Sequence, residues 1–191
     1  NDLLAEAAQK VVDECGQKKH GLAVKADVSK SRQVAAMFTR IAKKFPRLDI
    51  LVNNAGIGLD SPKVLARFNR VLAKQQAELA KYGKVKTPLA ATQNMTDEDW
   101  QRMLSVHLNG TFYCTREALK VMEKRGSGKV VNLASICGMT GCVGAPHYSA
   151  AKAGIMGFTR SVAREVIVRG VNVNAIAPGY IDTAMTEMMA D

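Results

Sequence analysis

Three residues of this 191-residue chain could together move a proton at a carbonyl oxygen. Tyr148 and Lys152 are four apart, a spacing that puts both on one face of a helix. A phenol titrates at about pH 10, too high for efficient acid–base work at neutrality, and an ammonium held close favours the phenolate. Ser135 stands at the carboxyl end of a short apolar run, the end at which buried strands of α/β proteins present ligands. Its hydroxyl could hold a substrate oxygen while Tyr148 exchanges the proton. A Y-x-x-x-K pair alone is common on exposed helices, so its meaning rests on the segments around it.

Two such segments matter. Asn53, Asn54, Ala55 and Gly56 directly follow the apolar run Leu48 to Asn53. Alanine and glycine present little bulk, so this turn can bring backbone close to a flat ligand. Pro178, Gly179, Tyr180, Ile181, Asp182 and Thr183 follow a second strand end, where Thr183 and free backbone N–H groups could hold an amide or a phosphate. Taken singly, both segments read as ordinary strand-ending turns.

The elements that must position these groups alternate between helix and strand, the pattern of an α/β fold with a parallel sheet. Apolar residues at helical spacing mark Leu3 to Cys15, Lys30 to Phe45, Thr96 to about Lys124, and Tyr148 to Val168. Thr96 can cap its helix, and Asp97, Glu98 and Asp99 place negative charge at the positive end of the dipole. Strands are expected over Gly21 to Val28, Leu48 to Asn53, Lys129 to Leu133 and Val171 to Ala175, and a glycine-rich loop over Gly138 to Gly144. The run at Leu48 has the composition of a strand buried on both faces. From Gly58 to Met95 a polar stretch interrupts the alternation. Within it, Val64 to Tyr82 has helix-forming composition and an apolar stripe. The reading is one domain over residues 1–191, with an insertion at about 58–95.

Composition narrows the partners. The chain carries 27 Lys and Arg against 17 Asp and Glu, a formal charge of +10. The basic residues are scattered, with a local concentration at Lys63 to Lys86, and few aromatics interleave with them, which argues against a nucleic-acid partner. No apolar run reaches the roughly 20 residues of a membrane span. Asn1 to Lys10 is polar and helical in pattern rather than a secretory signal, and a cytoplasmic protein is expected. Cys15, Cys114, Cys137 and Cys142 form no C-x-x-C pair, and the three histidines complete no zinc spacing. Reduced thiols and no metal site are therefore expected.

Taken together, the motifs resemble the short-chain dehydrogenase/reductase family, and within it the bacterial 3-oxoacyl-carrier-protein reductases. The resemblance is carried by N-N-A-G at Asn53 to Gly56, V-H-L-N-G at Val106 to Gly110, the serine of N-L-A-S at Ser135, Y-S-A-A-K at Tyr148 to Lys152, and A-P-G at Ala177 to Gly179. It implies a doubly wound, Rossmann-like sheet and hydride transfer between NAD or NADP and a ketone or secondary alcohol. Tyr148 would be the acid in reduction and the base in oxidation. Lys152 would favour its phenolate and hold the nicotinamide ribose, Ser135 would orient the substrate, and Asn109 would hold a water in a proton relay through Lys152. The resemblance further places Asp27 and Val28 beside the adenine. It sets Asn53, Ala55 and Gly56 along the cofactor, and Pro178, Gly179, Ile181 and Thr183 at the nicotinamide end. A homotetramer packed through its long helices is implied as well.

The chain departs from that pattern in three ways. No glycine-rich phosphate turn precedes Asn1, so the four readable strands match the third to sixth of the family's sheet, and a gap is expected after the first of them. The family's closing helix and strand do not follow Asp191. The insertion at 58–95 is longer than usual; a helix from Pro62 to Tyr82 over the active-site entrance is expected. Two other functions remain open: a true 3-oxoacyl-carrier-protein reductase, with Lys124, Arg125 and Arg169 meeting an acidic acyl carrier protein, and a catalytically silent cofactor-sensing protein.

Overall fold

Three parallel strands in the order β1 (Ile50–Asn53), β2 (Gly128–Leu133) and β3 (Val171–Ile176) form the sheet of the computed structural model, which describes residues 1–16, 20–58 and 62–181. Val52 pairs with Val131, and Val131 with Asn174. Parallel pairing demands long crossovers. The first contains α3 (Pro62–Tyr82), α4 (Asp97–Leu104), a π-helical turn (Ser105–Asn109) and α5 (Gly110–Arg125). The second contains α6 (Cys137–Thr140), α7 (Pro146–Val166) and a 3-10 turn at Ile167–Arg169. Helices α1 (Ala5–Glu14) and α2 (Ser31–Lys44) precede β1.

The strand period of two sends alternate residues to one face. Leu51, Val130, Val171 and Val173 pack there with Ala118 and Met122 of α5 and Val162 and Val166 of α7. A second cluster joins Val24, Ala26 and Val28 to Val34 and Met37 of α2 and Cys114 of α5. On the opposite face Ile50 and Val52 are exposed, so β1, expected to be buried on both faces, is covered on one. The expected α4 cap is present: Thr96 Oγ1 accepts from the Asp99 N–H at 3.1 Å.

Three further expectations change. Gly21 to Val28 joins no sheet among the described residues: Lys25 forms an isolated bridge with Asp2, and Val28 already lies in a turn. A strand exists through its partner, and no described strand lies beside this segment; a cavity of about 430 Å³ separates Leu22 and Val24 from Leu48 and Ile50. The single helix expected from Thr96 is broken by the π turn into α4 and α5. Finally, Cys137 and Cys142 are joined in a disulfide, with Cα atoms 5.0 Å apart; only Cys15 and Cys114 are free. The short helix α6 turns the chain back within what reads from sequence as an open glycine loop, and so brings the two cysteines within bonding reach.

Beneath the strand ends runs a buried polar ladder. Asn53 Nδ2 donates to Asn132 Oδ1 at 2.8 Å and to Thr115 Oγ1 at 3.0 Å. Asn132 Nδ2 donates to Thr159 Oγ1 at 2.9 Å, whose hydroxyl donates to the Ile155 carbonyl at 2.7 Å. Asn132 is wholly buried. Replacing it with alanine strips partners from groups that water cannot reach, at about 1–3 kcal/mol for each orphaned group. Asn132→Ala should therefore lower the unfolding free energy by about 3 kcal/mol, read from the midpoint of chemical denaturation. A loss below about 1 kcal/mol would show that the ladder is dispensable.

Candidate active site

The carboxyl ends of β2 and β3 converge on one place. The Ala134 N–H donates to the Ile176 carbonyl at 2.8 Å, and the Ile136 N–H donates to the Pro178 carbonyl at 2.9 Å. Ser135, between them, is thus tied to the Pro178–Gly179 turn. It is 8% exposed, and its Oγ accepts from the Cys137 N–H at 3.1 Å. Across from it stands the first half of α7. Proline at the helix start pre-sets the backbone angle there.

Lys152 is buried, and its Nζ donates to the Leu133 carbonyl at 2.6 Å. The same ammonium lies 5.5 Å from the Tyr148 ring centroid. Burial holds Lys152 down to about 8, well below its ordinary 10.5. The expected one-face placement of Tyr148 and Lys152 therefore holds, with the lysine turned to the end of β2 that leads to Ser135.

A residue outside the expected catalytic set completes the cluster. His107, on the π turn, is 2% exposed and meets Tyr148 edge-on, with centroids 5.3 Å apart. Its Nε2 lies 2.9 Å from the Ile57 carbonyl. Burial, and secondarily the Lys152 charge, lower it to about 4, so the ring is neutral at pH 7. Gly56 makes room for it: a Cβ there would fall 2.6 Å from His107 Cε1. Asn109 closes the same π turn, half-buried, and no hydrogen bond among the described residues joins it to Lys152. The π turn sets facing at this point, and a regular helix of the same sequence would not present the same side chains. The V-H-L-N-G motif contains both residues, and nothing in its local pattern marks His107 as the one beside Tyr148.

The remaining candidates divide. Asn54, Ala55 and Gly56 form an exposed strip beyond β1, whereas the Asn53 side chain belongs to the core ladder. Val28 is buried against α5, where a Cβ on Gly110 would meet its Cγ2 at 2.9 Å. The Asp27 carboxylate accepts from the Ser29 N–H at 2.9 Å. Pro178 and Gly179 flank the Ser135 end of β2; Ile181 is exposed, and Thr183 lies outside the described residues. No cluster of three metal-ligating side chains occurs among the described residues, and no described helix is long and apolar enough to cross a membrane.

The sequence pattern described as short chain dehydrogenase matches residues 1–191, and the chain belongs to that family. It is 40% identical over 166 residues to a 3-oxoacyl-[acyl-carrier-protein] reductase of Synechocystis sp., covering 87% of this chain and 56% of the relative. It is 34% identical over 187 residues to a reductase of the same name from Staphylococcus aureus, covering 97% and 64%. Among solved structures, a short-chain dehydrogenase from Streptomyces avermitilis superposes with a TM-score of 0.73 at 25% identity, over 95% of this chain and 55% of the other. The chain thus spans between half and two thirds of the length of these relatives.

The depressed Lys152 value has a consequence for stability. Between pH 8 and 10.5 the unfolded chain binds this proton more tightly than the folded one, so the lysine's contribution to stability rises with pH across that window. The difference in unfolding free energy between the parent protein and Lys152→Met should grow by about 3 kcal/mol from the bottom to the top of that window. Denaturation curves at both ends measure it; a constant difference would show that the ammonium is not desolvated.

Proposed function

We propose that the protein is an NAD- or NADP-dependent oxidoreductase acting on a ketone or secondary alcohol. The observation that carries this reading is the buried Lys152 ammonium beside Tyr148, on the element facing Ser135. The side-chain-poor strip Asn54 to Gly56, backed by His107, offers a cradle that a larger residue at Gly56 would fill, which fits a flat ring. When bound, the nicotinamide cofactor supplies or receives the hydride.

The chain's own residues do the rest. Ser135 holds the substrate oxygen and sets its distance from the Tyr148 hydroxyl. Tyr148 gives its proton to that oxygen in reduction and takes it back in oxidation. The Lys152 charge stabilises the phenolate left behind, in a site where low polarity strengthens the interaction. His107, neutral and packed against the Tyr148 ring, fixes that ring without adding a charge that competes with Lys152. This packing role is distinct from the water-holding role in a relay through Lys152 that the resemblance implies for Asn109.

The relatives' names favour a second, narrower reading: reduction of a 3-oxoacyl group presented by acyl carrier protein. In this chain Lys124 and Arg125 end α5 and Arg169 ends the 3-10 turn, just before the amino ends of β2 and β3. They lie at the amino end of the strands, opposite Ser135, and Arg125 is paired with Asp49 at 2.6 Å. A carrier held there would reach a site only on a neighbouring subunit. A homotetramer supplies such neighbours, and the exposed Trp100, Phe112, Val121, Ile167 and Val168 offer apolar surface on α4, α5 and the end of α7 for it.

In the full-length protein, Tyr148→Phe should lower kcat by at least about 100-fold, the typical weight of a general acid–base group. Nicotinamide binding, followed by fluorescence, should be unchanged. Near-normal turnover in that variant would overturn the catalytic assignment, and absence of turnover in the parent with both nicotinamides would favour a silent binding protein. Sedimentation at micromolar concentration should give a tetramer; a monomer would contradict the assembly.

A further inference from the structure

We propose that the insertion helix α3 builds a substrate subsite beside Tyr148, shaped for an aliphatic arm that ends in a carboxylate. The inference rests on the oxidoreductase reading above and names its substrate class. Helix α3, the segment after it, α4 and the turn before α7 together enclose a cavity of about 80 Å³. Much of its wall is apolar, with Ile57, Phe68, Val71, Leu89 and Met103 beside the polar Asn94, Asp99 and His147. A water needs about 10–15 Å³ of such space, so the cavity has room for roughly six atoms in a chain.

The cavity adjoins the catalytic cluster through its wall, and Tyr148 itself does not line it. Ile57, on its wall, holds His107, whose ring meets Tyr148. His147, 7% exposed, precedes Tyr148 and contributes its ring to the wall, and its Nδ1 has no hydrogen-bond partner among the described residues. Gly144 fixes the insertion to the active-site loop. Its φ of +81° is one that side-chain-bearing residues rarely adopt, and a Cβ there would overlap the Phe68 ring. Thus Phe68 sits on the loop that leads into α7 rather than on a remote surface.

Charge at the rim points to the other end of the ligand. Arg67 of α3 and Arg102 of α4 both line the cavity, are exposed, and join none of the ion pairs formed among the described residues. Asp99 is the one carboxylate beside them on the lining. An apolar slot with an excess of unpaired guanidinium at its mouth fits a carbonyl compound with a short alkyl arm and a terminal carboxylate.

The test uses the full-length protein and two series of ketones of increasing length, one neutral and one carrying a terminal carboxylate. In both, kcat/KM should rise about fourfold per methylene until the cavity is filled, then level off. Phe68→Trp should flatten that rise while leaving turnover of the shortest ketone unchanged, and Phe68→Ala should move the plateau to longer chains. Arg67→Ala and Arg102→Ala should each lower kcat/KM for the carboxylate series up to about fivefold, as exposed pairs do, and spare the neutral series. Hexanoate binding by calorimetry gives a readout without turnover and should weaken in Phe68→Trp. A length dependence that ignores both Phe68 variants, or hexanoate binding equal in parent and Phe68→Trp, would overturn the subsite. Loss of all turnover in the parent would instead strike the oxidoreductase reading, and hexanoate would still decide the subsite.

Discussion

The hydrogen bond from Asn53 to Asn132 is the constraint on which the site's geometry depends. It lies in the interior, between neighbouring strands, and each amide is also tied to a helix: Asn53 to Thr115 of α5, Asn132 to Thr159 of α7. A buried amide without partners is costly, so each of these four side chains tolerates little displacement of the others. Their positions along the chain explain why that matters. Asn53 is the last residue before the Asn54–Gly56 strip. Asn132 is three residues before Ser135, and Thr159 follows Lys152 by two helical turns on the same face. A ladder of short polar side chains thus fixes the strand register and the heights of α5 and α7. The reactive groups inherit those heights.

The second constraint is the burial of Lys152. An ammonium out of water is expensive, and here one carbonyl, that of Leu133, and the face of one phenol surround it. The lowered Lys152 value records what remains uncompensated. A neutral His107 follows from the same logic, because burial disfavours its charge and Lys152 disfavours it further. The cluster therefore holds one cation among neutral groups.

Much of this was legible in the sequence because it is local. Tyr148 and Lys152 face alike by helical period alone. Thr96 caps because its hydroxyl and the acidic turn behind it leave little alternative, and α3 forms from composition and stripe. Facing was lost where the backbone departs from a regular period. The π turn interrupts the helix over Ser105 to Asn109, and the contact of His107 with Tyr148 has no signature in a regular helical period. Pairing was lost where it depends on distant chain: Gly21 to Val28 has strand composition but no described strand beside it. The resemblance places Asn53 along the cofactor, and its side chain has a second role in the core. Its role in the core depends on Asn132, 79 residues away, and no local pattern reports that.

The loop between Ser135 and Tyr148 shows how these constraints combine. It is held at its start by the Ser135 hydroxyl, which accepts from the Cys137 N–H, and at its end by Ser149, which accepts from the Cys142 N–H at 2.9 Å. The Cys137–Cys142 disulfide closes the span between those bonds, and Gly138 lets α6 approach the α7 backbone, where a Cβ would meet the Lys152 carbonyl carbon at 2.6 Å. Phe68 then presses on Gly144 from outside. Three of these ties come from the loop itself and one from the insertion. Without the insertion the loop would keep its internal bonds but lose its outer wall, and with it the enclosed space beside His147. The insertion can therefore vary without disturbing Tyr148, Lys152 and Ser135, whose positions come from the ladder beneath the sheet. On the proposed reading, reactivity and selectivity belong to different parts of the chain, which meet at this loop.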